Sequence, residues 1–371
     1  MDTIYENAAI TISAQSCDTN ANRGIFAQVP PGPAAVLGQF KGQTVFMRKR
    51  INGIHPFSLD LTHERKLNPH TNVFGFPLTG RGWVYQERLL SRRVLHFTDY
   101  ELVWECREAL SCECRIDEGL WSAVKSHNQH LSGMDWTDIV TEYRTKKLSK
   151  ESDWLPALSG IARRFGATRK WTYLAGLWLE DLPNQLGWMH SIDAPGPRRG
   201  LLKDRQIPSW SWVSVPGEVE FASQPPQKLA RVVSRDVVNG MNPYGQPTSA
   251  VLVVEGPCVS ATVGEKIDGD CFRLKVGTRT ALLKADDPFN DSGWFSWHLL
   301  DKGVELLVLI LSASGEPGML ESQSFGLALC QAGHVQAEHG VCYRRAGIVD
   351  EPLLGLTSLD ELPPARRITL I

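Results

Sequence analysis

From residue 228 onward the chain is written in short apolar runs, many of them β-branched, separated by Gly, Asn and Pro, and no other feature constrains its fold as strongly. The runs cover 229–238, 250–254, 258–263, 272–276, 306–311 and 325–330. Strand-length runs bounded by turn residues predict a separate β-rich domain over 228–371. Pro225 and Pro226 mark its boundary. The purest run, 306–311, follows Glu305 and falls far short of the roughly 20 apolar residues a membrane-spanning helix needs, so no membrane span is expected.

Upstream the pattern is mixed. Ile10 and Ile12 alternate with Thr11 and Ser13, which predicts a core strand. Residues 15–80 read as mostly loop, with one strand over 45–48. A helix is expected over 83–90, then strands over 94–97 and 101–106 with a turn at 98–100. Residues 131–215 read as a helical extension. One helix starts at Asp135, and a second runs from Asp153 as N-cap to about Phe165. Tyr173 to Trp178 reads as buried helix, and Trp210, Trp212 and Ser214 have strand spacing. With 371 residues the chain is long enough for two or three domains, and the predicted class is α+β.

Composition removes several function classes. The formal net charge of -2 provides no field for nucleic acid or anionic lipid, and the basic runs Arg48-Lys49-Arg50 and Arg198-Arg199 are short; no nucleic-acid partner is expected. There is no phosphate-binding Walker string, no G-x-G-x-x-G, no G-x-S-x-G and no H-E-x-x-H. The opening residues carry no basic-then-apolar leader, so the eight cysteines are expected as reduced thiols in a cytoplasmic protein. Cys112 and Cys114 with His127 and His130 could supply four ligands, but the spacings depart from zinc-site spacing. Free thiols and solvated histidines are expected there, and no metal. The twelve tryptophans are expected to anchor cores.

The segment Arg81-Gly82-Trp83-Val84-Tyr85-Gln86-Glu87-Arg88-Leu89-Leu90-Ser91 is the most informative. Trp83, Glu87 and Leu90 lie about one helical turn apart and share a face. Read from residues alone, Trp83 and Leu90 pack and Glu87 is ion-paired. Arg81 and Arg92 are the candidate partners, because the adjacent Arg88 points elsewhere.

The same segment resembles the R-G-W-x-x-Q-E-x-x-L-S-x-R signature of fungal heterokaryon-incompatibility (HET) domains, with Arg93 at its end and Trp104-Glu105-Cys106 continuing it. Tyr5-Glu6-Asn7-Ala8-Ala9-Ile10-Thr11-Ile12-Ser13-Ala14 looks like the family's Y-x-N-A-x-x-T-I-x-A block, and Gly24-Ile25-Phe26 fits the block after it. Leu155-Pro156-Ala157-Leu158-Ser159-Gly160, Tyr173-Leu174-Ala175-Gly176-Leu177-Trp178 and Pro208-Ser209-Trp210-Ser211-Trp212 resemble blocks that follow the domain. The family's L-S-Y-x-W-G and D-x-x-C-I-x-Q blocks are not in the sequence. The resemblance therefore implies the C-terminal part of a TIR-like α/β HET domain over 1–130, ahead of the extension and the β-rich domain.

What the resemblance implies functionally is a factor of heterokaryon incompatibility, non-self recognition and programmed cell death in filamentous fungi, rendered inactive if the domain is truncated. By analogy with TIR domains it also implies an NAD glycohydrolase, with NAD as substrate and no bound cofactor. Glu87 would be its catalytic carboxylate, with Trp83, Arg81 and Ser13 binding substrate. The third implied reading is a non-catalytic interaction module that binds other HET-type proteins or itself.

Overall fold

The computed structural model describes residues 2–15, 35–47, 78–98, 102–112, 134–191, 207–223, 227–286, 301–313, 324–332, 340–350 and 362–371. It is mixed α+β and strand-rich. The chain divides into two compact units, Met1–Ser149 and Lys150–Ile371. The expected extension over 131–215 is thereby shared: its first helix belongs to the first unit and the rest to the second.

In the first unit, α1 (Asp2–Asn7) leads into β1 (Thr11–Ala14). A hairpin follows, β2 (Ala35–Phe40) with β3 (Gln43–Met47), close to the one strand expected in this region. Helix α2 (Gly82–Leu90) then delivers the chain to β4 (Arg93–Phe97), β5 (Leu102–Cys106) and β6 (Leu110–Cys112). The sheet order is β1-β4-β5-β6. β1 runs parallel to β4, with Ser13 opposite His96, and β4–β5 is the expected antiparallel hairpin. Helix α3 (Trp136–Arg144) completes the described part and buries Ile139, Val140 and Tyr143. The Tyr85 hydroxyl on α2 donates to the Ile139 carbonyl at 3.3 Å and pins the two helices together. A Cβ on Gly82 would come within 2.7 Å of the Leu148 side chain, so a larger residue at that helix start requires Leu148 to shift.

One strand turns the expected face around. Ile10 and Ile12 are 43% and 60% exposed, whereas Ser13 is buried and Gln15, just past the strand, is fully so. The polar side chains go inward because hydrogen-bonding partners are waiting there on β4.

The second unit opens with a 3-10 turn (Glu151–Asp153), a second one (Pro156–Leu158) and α4 (Ser159–Arg169). Asp153 therefore closes a turn and does not cap a helix; Pro156, lacking an N–H, separates the turn from α4. The stretch from Tyr173 is not helical. It is a tight hairpin, β7 (Tyr173–Leu174) against β8 (Leu177–Trp178), whose turn residues Ala175 and Gly176 have φ of 46° and 96°. Positive φ at both central positions is the turn that matches strand twist, and burial of both strands produced the helix-like apolar run. Helix α5 (Leu182–Gln185) leads into β9 (Trp188–His190).

Trp210 and Trp212 also depart from expectation. The region is a turn followed by a 3-10 turn (Trp212–Ser214), not a strand. Its serines take the backbone partners a ladder would need: Ser211 Oγ donates to the Ala175 carbonyl at 2.6 Å, and Ser214 Oγ to the Ser211 carbonyl at 2.7 Å. Trp212 Nε1 donates to the Gly176 carbonyl at 2.8 Å and Trp188 Nε1 to the Trp210 carbonyl at 2.9 Å. Trp178, Trp188, Trp210 and Trp212 are all fully buried, as core tryptophans.

β10 (Val219–Phe221) pairs with β9. The remaining strands are β11 (Gln227–Lys228), β12 (Arg231–Asn239), β13 (Pro247–Asp268), β14 (Cys271–Val276), β15 (Arg279–Ala285), β16 (Glu305–Ala313), β17 (Ser324–Gln331), β18 (Cys342–Asp350) and β19 (Ala365–Leu370). Strands thus fill much of the stretch expected to be β-rich, within a unit that begins at Lys150, and their pairings close. β13–β14–β15–β18–β17–β16 returns to β13 by antiparallel ladders throughout, a barrel with no open edge around that ring. The first half of the long β13 extends beyond the ring and pairs with β12 and β19 instead. Strands β16 and β17 are buried on both faces, which explains why 306–311 reads as an unbroken apolar run.

Candidate functional site

The predicted site residues all fall in the first unit. Glu87 lies in the last turn of α2 and is half-buried. Its carboxylate accepts a hydrogen bond from the Tyr5 hydroxyl of α1. Burial, then the Glu87 charge, raises the Tyr5 pKa, so the phenol stays a neutral donor. The expected arginine partner does not materialise among the described residues. Arg81 is exposed at the N-cap of α2, where its neighbour's amide, Gly82 N–H, bonds the Lys147 carbonyl at 2.9 Å. Trp83 is half-buried one turn before Glu87.

Arg88 is engaged elsewhere. Its Nε and Nη2 donate to Glu105 Oε2 and Oε1 at 2.8 and 3.0 Å, a two-pronged pair between α2 and β5 with both side chains 19% exposed. His96 Nε2 meets the same Glu105 Oε2 at 2.8 Å. Although burial alone would raise it, the Glu105 pKa is lowered to about 2 by Arg88 and by the His96 hydrogen bond. The carboxylate is therefore ionised, and burial holds His96 below the usual histidine range, hence neutral at neutral pH. A neutral imidazole beside a carboxylate carries its proton on Nε2. Nδ1 is then an acceptor, and Gln15 Nε2 lies 3.0 Å from it. The same Gln15 nitrogen is 2.8 Å from Ser13 Oγ. Ser13 thus sits at the end of a chain that runs from the half-buried Arg88 and Glu105 to the buried His96, Gln15 and Ser13.

Glu87 and Ser13 are connected through the backbone and not by side-chain contact. Ser91 Oγ, at the end of α2, donates to the Glu87 carbonyl at 2.7 Å and lies 2.7 Å from Thr11 Oγ1 on β1. Gln15, His96, Glu105 and Arg88 carried no catalytic motif; the signal available was the pair of polar residues, Ser13 and Gln15, on one face of a short strand. As for metal, Cys114, His127 and His130 lie outside the described residues, and no group of three or more His, Cys, Asp or Glu that could hold an ion occurs among the described ones. Also among the described residues, no helix is long and apolar enough to cross a membrane.

A buried arginine forms a second polar centre in the other unit. Arg345 on β18 is fully buried, pairs with Asp286 at 2.7 Å through Nε, and stacks over the Trp188 ring at 3.5 Å. Nη1 donates to the Leu186 carbonyl at 2.6 Å and Nη2 to the Trp188 carbonyl. These bonds fasten the α5–β9 connection to the barrel strand.

Comparison with protein-family models, curated proteins and solved structures finds no match for this chain.

Proposed function

We propose that the chain is a HET-type factor of non-self recognition and programmed cell death, acting in the cytoplasm, and that its first unit cleaves NAD with Glu87 as the catalytic carboxylate. The sequence resemblance supports the family; one structural observation supports the chemistry. Among the described residues, Glu87 is held by a neutral phenol and not by a guanidinium, while the adjacent Arg88 is tied to Glu105. A carboxylate without a neutralising cation can stabilise the positive charge that develops on the ribose.

In that reaction the bond from the anomeric carbon to the nicotinamide nitrogen breaks, and the electron pair leaves with neutral nicotinamide. The oxocarbenium-like ribosyl group forms against Glu87. Water adds to the anomeric carbon and loses a proton, giving ADP-ribose. Trp83 would wall the site and Arg81 would meet phosphate. The test is nicotinamide release from NAD by the full chain. Wild type is expected to release it, and Glu87→Gln is expected to lose it. Equal rates in the two proteins would overturn the catalytic role.

A second reading is favoured by the exposed Ile4, Ile10 and Ile12 of the first unit. An apolar surface beside a strand suits a non-catalytic module that binds other HET-type proteins or a second copy. Absence of NAD cleavage together with concentration-dependent association would select it.

A further inference from the structure

We infer that Arg88, Glu105, His96 and Gln15 form a polarised relay that presents the Ser13 hydroxyl as a hydrogen-bond donor to an acceptor oxygen of the ligand. The ligand's identity rests on the nucleotide reading above; the relay itself does not. These four are positioning residues, and Ser13 is the group that touches ligand.

The direction of each bond follows from the one before it. Arg88 has only donors, so Glu105 accepts from it. Glu105 also accepts from His96 Nε2–H. His96 Nδ1 must then accept, which orients the Gln15 amide with its nitrogen toward the ring. The second proton on that nitrogen goes to Ser13 Oγ at 2.8 Å. Ser13 Oγ is an acceptor in this bond, so its own proton is left for another group, and no acceptor for it occurs among the described residues. This orientation carries a cost that the contact with His96 must offset: among the described residues, Gln15 Oε1 is buried without a hydrogen-bond partner. Turning the amide over would let that oxygen accept from Ser13 but would set it against the lone pair of Nδ1, two acceptors facing each other, unless His96 carried a proton on Nδ1.

Acid therefore reverses the relay. Among the described residues, the charged groups acting on His96 are Glu105 from β5 and Arg88 from α2, with Glu142 of α3 acting on Arg88, while β1 presents the uncharged Ser13 and Gln15. Protonation at Nδ1 turns the Gln15 amide, Gln15 Oε1 accepts from both Nδ1–H and Ser13 Oγ–H, and Ser13 no longer donates to ligand. Because Nδ1 gains its proton only below the usual histidine range, the donor state holds at neutral pH.

The experiment uses the full chain labelled with nitrogen-15 histidine, and NAD and nicotinamide riboside as probes. Long-range proton–nitrogen spectra are expected to show His96 protonated on Nε2 alone at neutral pH. Gln15→Glu places a carboxylate against Nδ1; it is expected to make the ring doubly protonated and to raise the KM for NAD about tenfold, as Ser13→Ala does. Loss with both probes assigns the acceptor to the ribose; loss with NAD alone assigns it to phosphate. An Nδ1–H tautomer or an imidazolium in the wild type would overturn the relay. So would a Gln15→Glu protein with a singly protonated ring, or one with wild-type KM. If wild type neither binds nor cleaves NAD, the nucleotide reading fails and takes the ligand half of this inference with it. The nitrogen spectra then decide the relay alone.

Discussion

Each unit holds an arginine–carboxylate pair, one half-buried and one buried, and the two pairs are built for different ends. Arg345 and Asp286 are 0% and 3% exposed, and the remaining donors of Arg345 go to the carbonyls of Leu186 and Trp188. That network is closed: it begins and ends in structure. Arg88 and Glu105 are each 19% exposed, and their hydrogen bonds run on through His96 and Gln15 to a serine hydroxyl. That network is open at one end. A closed polar cluster orients one layer on another, whereas an open chain of the same groups transmits a protonation state to a hydroxyl.

The largest effect is expected from breaking the closed cluster. Arg345→Met leaves Asp286 buried without its cation and two carbonyls without donors. A loss of about 3–5 kcal/mol is expected in urea unfolding of the full chain followed by tryptophan fluorescence. Asp286→Leu added to it is expected to recover part of that loss, because the orphaned charge goes too.

Acid should strike the open network next. Glu105 has a folded pKa of about 2, below its unfolded value, so its contribution is present above pH ~4.5 and is lost as pH falls toward 2. The shift corresponds to about 3 kcal/mol. His96 is also lowered, and a buried neutral histidine loses stability once the unfolded chain begins to bind the proton, below pH ~6.5. Both act in the same direction. The unfolding free energy of the first unit is expected to decline from about pH 6.5 downward. Glu105→Gln should be less stable at neutral pH and should flatten the steep part below about pH 4.5. A flat profile in the wild type would contradict the assigned protonation states.

Tyr5→Phe tests the support of Glu87 and carries the smallest stability effect, about 0.5–1.5 kcal/mol for one hydrogen bond. Nicotinamide release is expected to fall more than stability does, since the phenol orients the carboxylate.

Local features were legible in the sequence and long-range ones were not. Helix α2 and the β4–β5 hairpin could be read because apolar period and turn residues act over a few positions. The barrel's strands could be read, but its closure depends on Cys258 lying opposite Leu309 and on Gly326 lying opposite Val349, pairings that no local pattern encodes. Misreadings came where side chains took over backbone bonding, as at Ser211 and Ser214, or where burial on both faces hid a turn, as at Ala175 and Gly176. At the candidate site, Glu87, Trp83 and Arg81 stood out through their spacing. Gln15 and His96 did not, because the alternation in β1 pointed the isoleucines inward while the structure points Ser13 and Gln15 there. A strand whose polar face is the buried one is legible only when its partner's polar residue is known.

The comparison reduces to a double dissociation between Glu87→Gln and Arg345→Met, measured side by side for nicotinamide release from NAD and for unfolding midpoint. Glu87→Gln is expected to lose release at an unchanged midpoint. Arg345→Met is expected to unfold at much lower urea and yet to release nicotinamide normally where it is folded. Nicotinamide release by Glu87→Gln at the wild-type rate would contradict the account.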